Sequence, residues 1–157
     1  MLLQGPVHAA AALLVLAGAQ KLRDPLPLVR AARSVSLSVP ATLVRAGAAL
    51  EAAVGLATLL DGSRWTALAV AASYAGFTAF VVLALLRKGI LASCGCFGRA
   101  DTPPTVLHAV VTGGLSLAAT TGAPGALPVT ATALVTTAAV ALTGYLVLAV
   151  LPTVRAA

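Results

Sequence analysis

Residues 65–86 read WTALAVAASYAGFTAFVVLALL, a stretch of 22 residues without one charged side chain. About 20 apolar residues of α-helix cross the hydrocarbon core of a bilayer, so this stretch predicts a complete membrane span. The whole chain agrees, because 60% of its 157 residues are hydrophobic and only 9% are charged. Soluble domains carry about 25% charged residues. The composition therefore predicts an all-α integral membrane protein and excludes a soluble globular enzyme, a disordered tail and a fibrous repeat.

Other uncharged stretches lie on both sides of this span. The longest lies between Asp101 and Arg155 and is too long for one helix, and the turn residues of Gly122–Gly125 divide it in two. The predicted spans are residues 6–20, 42–60, 65–86, 104–121 and 128–151. The chain is thus predicted to form a single domain over 1–157, a helical bundle of about five transmembrane helices (a four-helix core plus one), with a loop at 21–40.

The basic residues indicate how the bundle lies in a membrane. The net charge is +6, but no basic stripe with interleaved aromatic residues is present, which argues against a nucleic-acid partner. Eight basic residues lie in the loops 21–40 and 87–103 and at Arg155, whereas the opposite loop holds only Arg64. The positive-inside rule then predicts a multi-pass protein of the bacterial cytoplasmic membrane, with these two loops on the cytoplasmic side.

The two cysteines of the chain lie together in the stretch Ser93-Cys94-Gly95-Cys96-Phe97-Gly98. Cysteines at i and i+2 around a glycine can form a strained, reducible disulfide, and Arg99 would favour a thiolate. Thiol–disulfide redox chemistry makes Cys94 and Cys96 candidate catalytic residues. Two alternatives stay open: a metal-binding pair, or a structural pair in a loop. The spacing alone does not distinguish these possibilities.

Three ionisable residues inside or near the spans are further candidates. His108, early in the fourth span, could exchange protons with a thiolate or bind a quinone carbonyl, or it could simply meet water at the interface. Glu51 is the only acid within a span, and it shares one helix face with Gly47 and Gly55; it could carry protons or clamp helices together. His8 is expected at the opposite end of the bundle from the cysteines, which argues against a Cys2His2 metal site.

Three motifs together resemble the MauE family, a methylamine-utilisation group related to DoxX-like membrane proteins. The stretch at 18–25, GAQKLRDP, is similar to the family pattern G-x-x-K-L-x-D-P, and Glu51 with Gly55 matches an E-x-x-x-G element. The Cys94–Gly98 stretch, CGCFG, is the most specific of the three. The resemblance covers residues 1–120, and the fifth span matches in kind only.

The resemblance implies a thiol–disulfide oxidoreductase in the membrane. Its Cys94–Cys96 dithiol would exchange electrons with a thioredoxin-like (MauD-like) partner during maturation of an extracytoplasmic redox protein, such as a methylamine dehydrogenase. His108 and Glu51 would handle protons, and a quinone is a possible electron partner. An extracytoplasmic role conflicts with the cytoplasmic side that the basic residues predict for the cysteines. The alternative function is a non-enzymatic scaffold or assembly subunit.

Overall fold

The computed structural model describes residues 4–87, 105–121 and 131–146, and all regular structure within them is α-helical. The helices are α1 (Gln4–Arg23), α2 (Leu26–Ser34), α3 (Ala41–Asp61), α4 (Arg64–Leu86), α5 (Val106–Thr121) and α6 (Ala131–Tyr145). The all-α prediction is therefore confirmed for the described residues.

Two of these helices, α3 and α4, are long and apolar enough to span a bilayer by length and composition. The described helices thus provide fewer full-length candidates than the five predicted spans. Helix α1 is long enough, but polar residues near both of its ends, such as His8 and Gln20, lower its mean hydropathy. Helix α5 is apolar but has 16 residues, and α6 has 15 within the described part of the chain.

A two-residue connection makes α3 and α4 antiparallel neighbours. Gly62 ends α3 in the left-handed conformation, with φ of 57°, and its N–H donates to the carbonyl of Thr58. Glycine adopts this conformation without steric cost. Ser63 then caps α4, because its hydroxyl accepts a hydrogen bond from the Thr66 N–H. The chain therefore reverses direction at once.

Side-chain contacts define the rest of the bundle. Helix α1 is antiparallel to α3, since Gly18 meets Ala48 whereas Gly55 meets Ala11. Helices α4 and α5 are antiparallel as well. Ser116 on α5 donates to the carbonyl of Ala71 on α4 at 2.9 Å, whereas Thr112, earlier on α5, contacts Thr78, later on α4. The end of α1, the beginning of α3, the end of α4 and the beginning of α5 consequently lie at one end of the bundle, here called the arginine end.

The predicted loop at 21–40 is wrong in two respects, because α1 continues to Arg23 and the segment after it contains helix α2. Helix α2 begins at Leu26 after Pro25, and the Asp24 carboxylate accepts a hydrogen bond from the Leu26 N–H at 3.1 Å. Apolar residues on one side of α2 pack on the end of α4, where Ala31 and Val35 contact Ala84. The segment still returns the chain to the same end of the bundle, as a loop would.

Candidate functional site

Helices α1 and α3 approach each other closely through two glycines. A methyl group added at Gly18 would lie 2.7 Å from the carbonyl oxygen of Ala48, and one added at Gly55 would lie 2.6 Å from that of Ala11. Both distances are too short for a side chain, so the contact requires glycine at both positions. Small residues allow such approach between membrane helices. Gly47, predicted on the same face, has open space around it and lies outside this contact.

The close approach brings together two charged residues that are 30 positions apart. The Lys21 Nζ atom lies 2.6 Å from Oε2 of Glu51, forming an ion pair. The Lys21 side chain is only 2% exposed, and that of Glu51 is 18% exposed. The ammonium also lies 4.2 Å from the ring centroid of Phe77 on α4, at a distance typical of a cation–π contact. Lys21 therefore joins three helices at the site of Glu51.

The position of this pair along the helices is unusual for charged groups. Glu51 is the eleventh residue of the 21-residue α3 and lies at the midpoint of a candidate membrane span. Lys21 comes from the last turn of α1, yet its side chain turns inward to reach Glu51 instead of extending toward solvent. Intramembrane charges are costly unless they are paired, and they commonly mark functional positions. Next to Lys21 in sequence, the Oε1 atom of Gln20 is buried and has no hydrogen-bond partner among the described residues.

A second polar group connects α4 and α5 near the arginine end. His108 is 1% exposed, and its Nδ1 atom lies 2.8 Å from the Thr105 hydroxyl. The carbonyl of His108 accepts a hydrogen bond from the Thr112 hydroxyl, which lies 2.8 Å from that of Thr78 on α4. His108 is therefore held inside the bundle rather than at its water-exposed rim. A buried imidazole with a hydroxyl partner can relay protons.

The other residues predicted for the site are placed as follows. Cys94 and Cys96 lie outside the described residues. The helix ends that flank them in sequence, Arg87 and Thr105, both lie at the arginine end. His8 is buried near the beginning of α1, at the opposite end, so the bundle separates it from His108. The placement of His8 opposite the cysteines stays a prediction, because the cysteines lie outside the described residues.

An apolar groove of about 330 Å³ opens between α1, α5 and α6. It is lined by Leu13, Val111, Leu115, Ala139, Val140, Thr143 and Gly144. None of the residues that line it is charged. Such a groove suits a hydrocarbon chain and offers little to a polar molecule.

Lys21 is the site residue that the sequence interpretation missed. The basic-residue pattern places Lys21 among the loop charges that predict orientation, although Lys21 lies in the same motif as Gly18. The signal that identifies it is the joint occurrence of two motifs, one with a lysine at the end of a span and one with the single glutamate within a span. A buried acid of that kind requires a nearby cation.

The described residues thus form an all-helical bundle with a largely buried ion pair between α1 and α3, and two of its helices are long and apolar enough to span a bilayer. A family model described as methylamine utilisation protein MauE matches residues 2–125. The chain belongs to the MauE family, which is a family of membrane proteins. No curated protein and no solved structure matches the chain.

Proposed function

We propose that this protein is a membrane thiol–disulfide oxidoreductase that uses Cys94 and Cys96 to exchange electrons with a thioredoxin-like partner. The observation that carries the proposal is the family match, which extends over the CGCFG stretch at 94–98. The family description names methylamine utilisation. The substrate protein is accordingly proposed to be an extracytoplasmic redox protein of the methylamine dehydrogenase type.

The proposed exchange proceeds through a mixed disulfide. One cysteine thiolate attacks a disulfide of the partner, and one partner sulfur leaves as a thiolate. The second cysteine then attacks the mixed disulfide, which releases the partner as a dithiol and leaves a Cys94–Cys96 disulfide. Two electrons and two protons thereby pass to the partner. The same steps in reverse oxidise a partner dithiol.

The reverse direction requires an electron acceptor, and we propose a membrane quinone. The quinone would take two electrons and two protons from the Cys94–Cys96 dithiol. The apolar groove between α1, α5 and α6 supports this proposal, because its lining suits an isoprenoid chain. His108 is proposed to carry protons, since its imidazole is buried at the arginine end with Thr105 as a hydrogen-bond partner.

Glu51 is proposed as a second proton carrier. Its carboxylate is part of an ion pair at the middle of α3, so a proton could reach it only if the pair opened.

We further propose five membrane spans and a location in the bacterial cytoplasmic membrane. The arginine end is assigned to the cytoplasmic side, on the basis of the exposed basic residues at that end.

Single cysteine variants test the redox proposal. The protein carrying only the attacking cysteine should form a reducible, higher-mass adduct with the thioredoxin-like partner on a non-reducing gel. Cys96 is expected to attack first, so Cys94→Ser should trap the adduct and Cys96→Ser should not. The double variant serves as the control. If neither single variant forms an adduct and the double variant matures the partner protein normally, the redox proposal fails.

A scaffold is the second candidate, and a specific observation favours it. Five motif residues within the described part of the chain make structural contacts: Gly18 and Gly55 allow helix contact, Lys21 pairs with Glu51, and Asp24 accepts a hydrogen bond from the Leu26 N–H. A purely structural subunit would need these contacts and no redox activity. The double cysteine variant distinguishes the two candidates, because a scaffold would keep its function without the thiols.

A further inference from the structure

Helix α2 presents one face to the bundle and another to its surroundings. Pro27, Val29, Ala31 and Ala32 are buried against neighbouring helices. The opposite face consists of Leu26, Arg30, Arg33 and Ser34, all exposed, and is here called the arginine face. Residues three and four positions apart share a side of a helix, so the two guanidinium groups are neighbours.

The arginine face is held firmly in place. Arg87 at the end of α4 donates a hydrogen bond from Nη1 to the carbonyl of Val35, just after α2, at 2.6 Å. Val35 is 1% exposed and packs with Ala31 against Ala84. The N–H of Leu37 returns to the carbonyl of Ala32 at 2.8 Å and closes the helix end. The helix is therefore a fixed part of the bundle surface.

Charge is distributed unequally between the two ends of the bundle. Among the described residues, the arginine end holds six basic side chains and one acidic one: Lys21, Arg23, Arg30, Arg33, Arg45 and Arg87, with Asp24. Lys21 is already paired with Glu51 at the middle of α3. The opposite end holds Asp61 and Arg64, one charge of each sign. An excess of cations therefore remains at the arginine end without acidic partners within the described part of the chain.

We propose that the arginine face binds the phosphate headgroups of anionic membrane lipids. Guanidinium groups bind phosphate oxygens through paired hydrogen bonds, and Arg30 and Arg33 are one turn apart, so a single phosphodiester can be held by both. Leu26 is 56% exposed beside them and would enter the apolar boundary of the same leaflet. The surface thus has the amphipathic character of an interfacial helix.

This proposal depends on the membrane location of the family and not on the dithiol chemistry. A protein with an acidic surface is the competing occupant. The exposed leucine within the arginine face favours lipid, because a headgroup and an acyl chain satisfy both kinds of side chain at once. A soluble phosphate would satisfy only the arginines.

Lipid retention by the full-length protein tests the proposal. Protein in an uncharged detergent is titrated with phosphatidylglycerol or phosphatidylcholine, and bound lipid is counted by native mass spectrometry. The wild type should retain phosphatidylglycerol preferentially. Arg30→Gln with Arg33→Gln should weaken that retention about tenfold or more, since each basic residue near an anionic surface contributes about fivefold. The Arg30→Lys, Arg33→Lys variant should recover most of it.

Two controls separate lipid binding from general effects. Arg64→Gln removes an exposed arginine at the opposite end and should leave lipid retention unchanged. Inorganic phosphate should fail to displace the lipid at equal concentration, because it lacks the acyl chains. The proposal is overturned if the double glutamine variant retains phosphatidylglycerol like the wild type, or if it loses only the binding of a soluble acidic partner. The proposal is also overturned if Arg64→Gln weakens phosphatidylglycerol retention as much as the double glutamine variant does.

Discussion

Gly18 of α1 and Gly55 of α3 lie at two levels of one helix contact, each facing the backbone of the other helix. Alanine at either position would place a methyl group against a carbonyl oxygen that cannot rotate away. We expect Gly18→Ala and Gly55→Ala each to lower the free energy of unfolding by about 1–3 kcal/mol, as overpacking does elsewhere. Thermal unfolding in detergent measures the effect.

Gly47→Ala is the matched control for these substitutions, because it adds the same methyl group to α3 where nothing lies within 4 Å. Its stability should equal that of the wild type or exceed it slightly. Equal destabilisation by all three substitutions would contradict the close helix contact.

The Lys21–Glu51 pair should show strong energetic coupling. Lys21→Met leaves a carboxylate without its cation inside the bundle, and Glu51→Leu leaves the ammonium without its anion. Each change alone should cost about 3–5 kcal/mol, and the double variant should cost much less than their sum. A double-mutant cycle on thermal unfolding measures this coupling, and additive costs would mean that the pair contributes nothing.

The substitutions Glu51→Gln and Glu51→Asp distinguish proton transfer by Glu51 from a purely structural role in holding the helices together. If Glu51 carries protons, Glu51→Gln protein that still accumulates in the membrane should turn over its partner more slowly. If the carboxylate is only a clamp, Glu51→Gln should reduce the amount of protein while Glu51→Asp restores it. Immunoblots of membranes and partner oxidation rates, measured together, distinguish the outcomes.

Arg87 should determine whether α2 stays docked. Arg87→Gln removes the hydrogen bond to the Val35 carbonyl and leaves the helical residues of α4 unchanged. We expect faster amide hydrogen exchange in Leu26–Ser34 and unchanged exchange in the middle of α4. Arg45→Gln, which changes an exposed arginine at the same end, is the control. Uniform acceleration across the bundle would mean that Arg87 stabilises the whole fold and not the docking of α2.

The side of the membrane that holds the cysteines can be measured directly. With the arginine end in the cytoplasm, a membrane-impermeant thiol reagent should label reduced Cys94 and Cys96 poorly in intact cells and well after permeabilisation. Ser63→Cys in a background without the native cysteines reports on the opposite end and should be labelled in intact cells. The reverse pattern would place the arginine end outside the cytoplasm and leave the thiol chemistry itself open.

The length of the apolar runs is sufficient to predict α3 and α4, because a long run of apolar residues is unfavourable in water and must be buried. Helix α2 was missed for the opposite reason: at nine residues, with prolines near its beginning and arginines on its outer face, it lacks an apolar run. The sequence signal for α2 is the spacing of Pro27 and Ala31, with Val35 just after the helix, because residues four positions apart lie on one side of a helix.

The Lys21–Glu51 contact could not be predicted from spacing, because 30 residues and a reversal of chain direction separate the two partners. Local patterns fix which residues form a helix, but they do not determine the register of two helices against each other. That register follows from the close backbone contacts at Gly18 and Gly55, which form only when α1 and α3 pack together. The placement of Cys94 and Cys96 stays a prediction.

The order of Lys21 and Glu51 along the chain also has a consequence for biogenesis. The ribosome delivers Lys21 first, so every nascent chain carries this ammonium before the carboxylate that neutralises it has been made. In helix α1 alone this ammonium would extend toward the membrane surface, since lysines near helix ends reach the interface. The Lys21 side chain is therefore expected to turn inward only after α3 has been made and supplies Glu51.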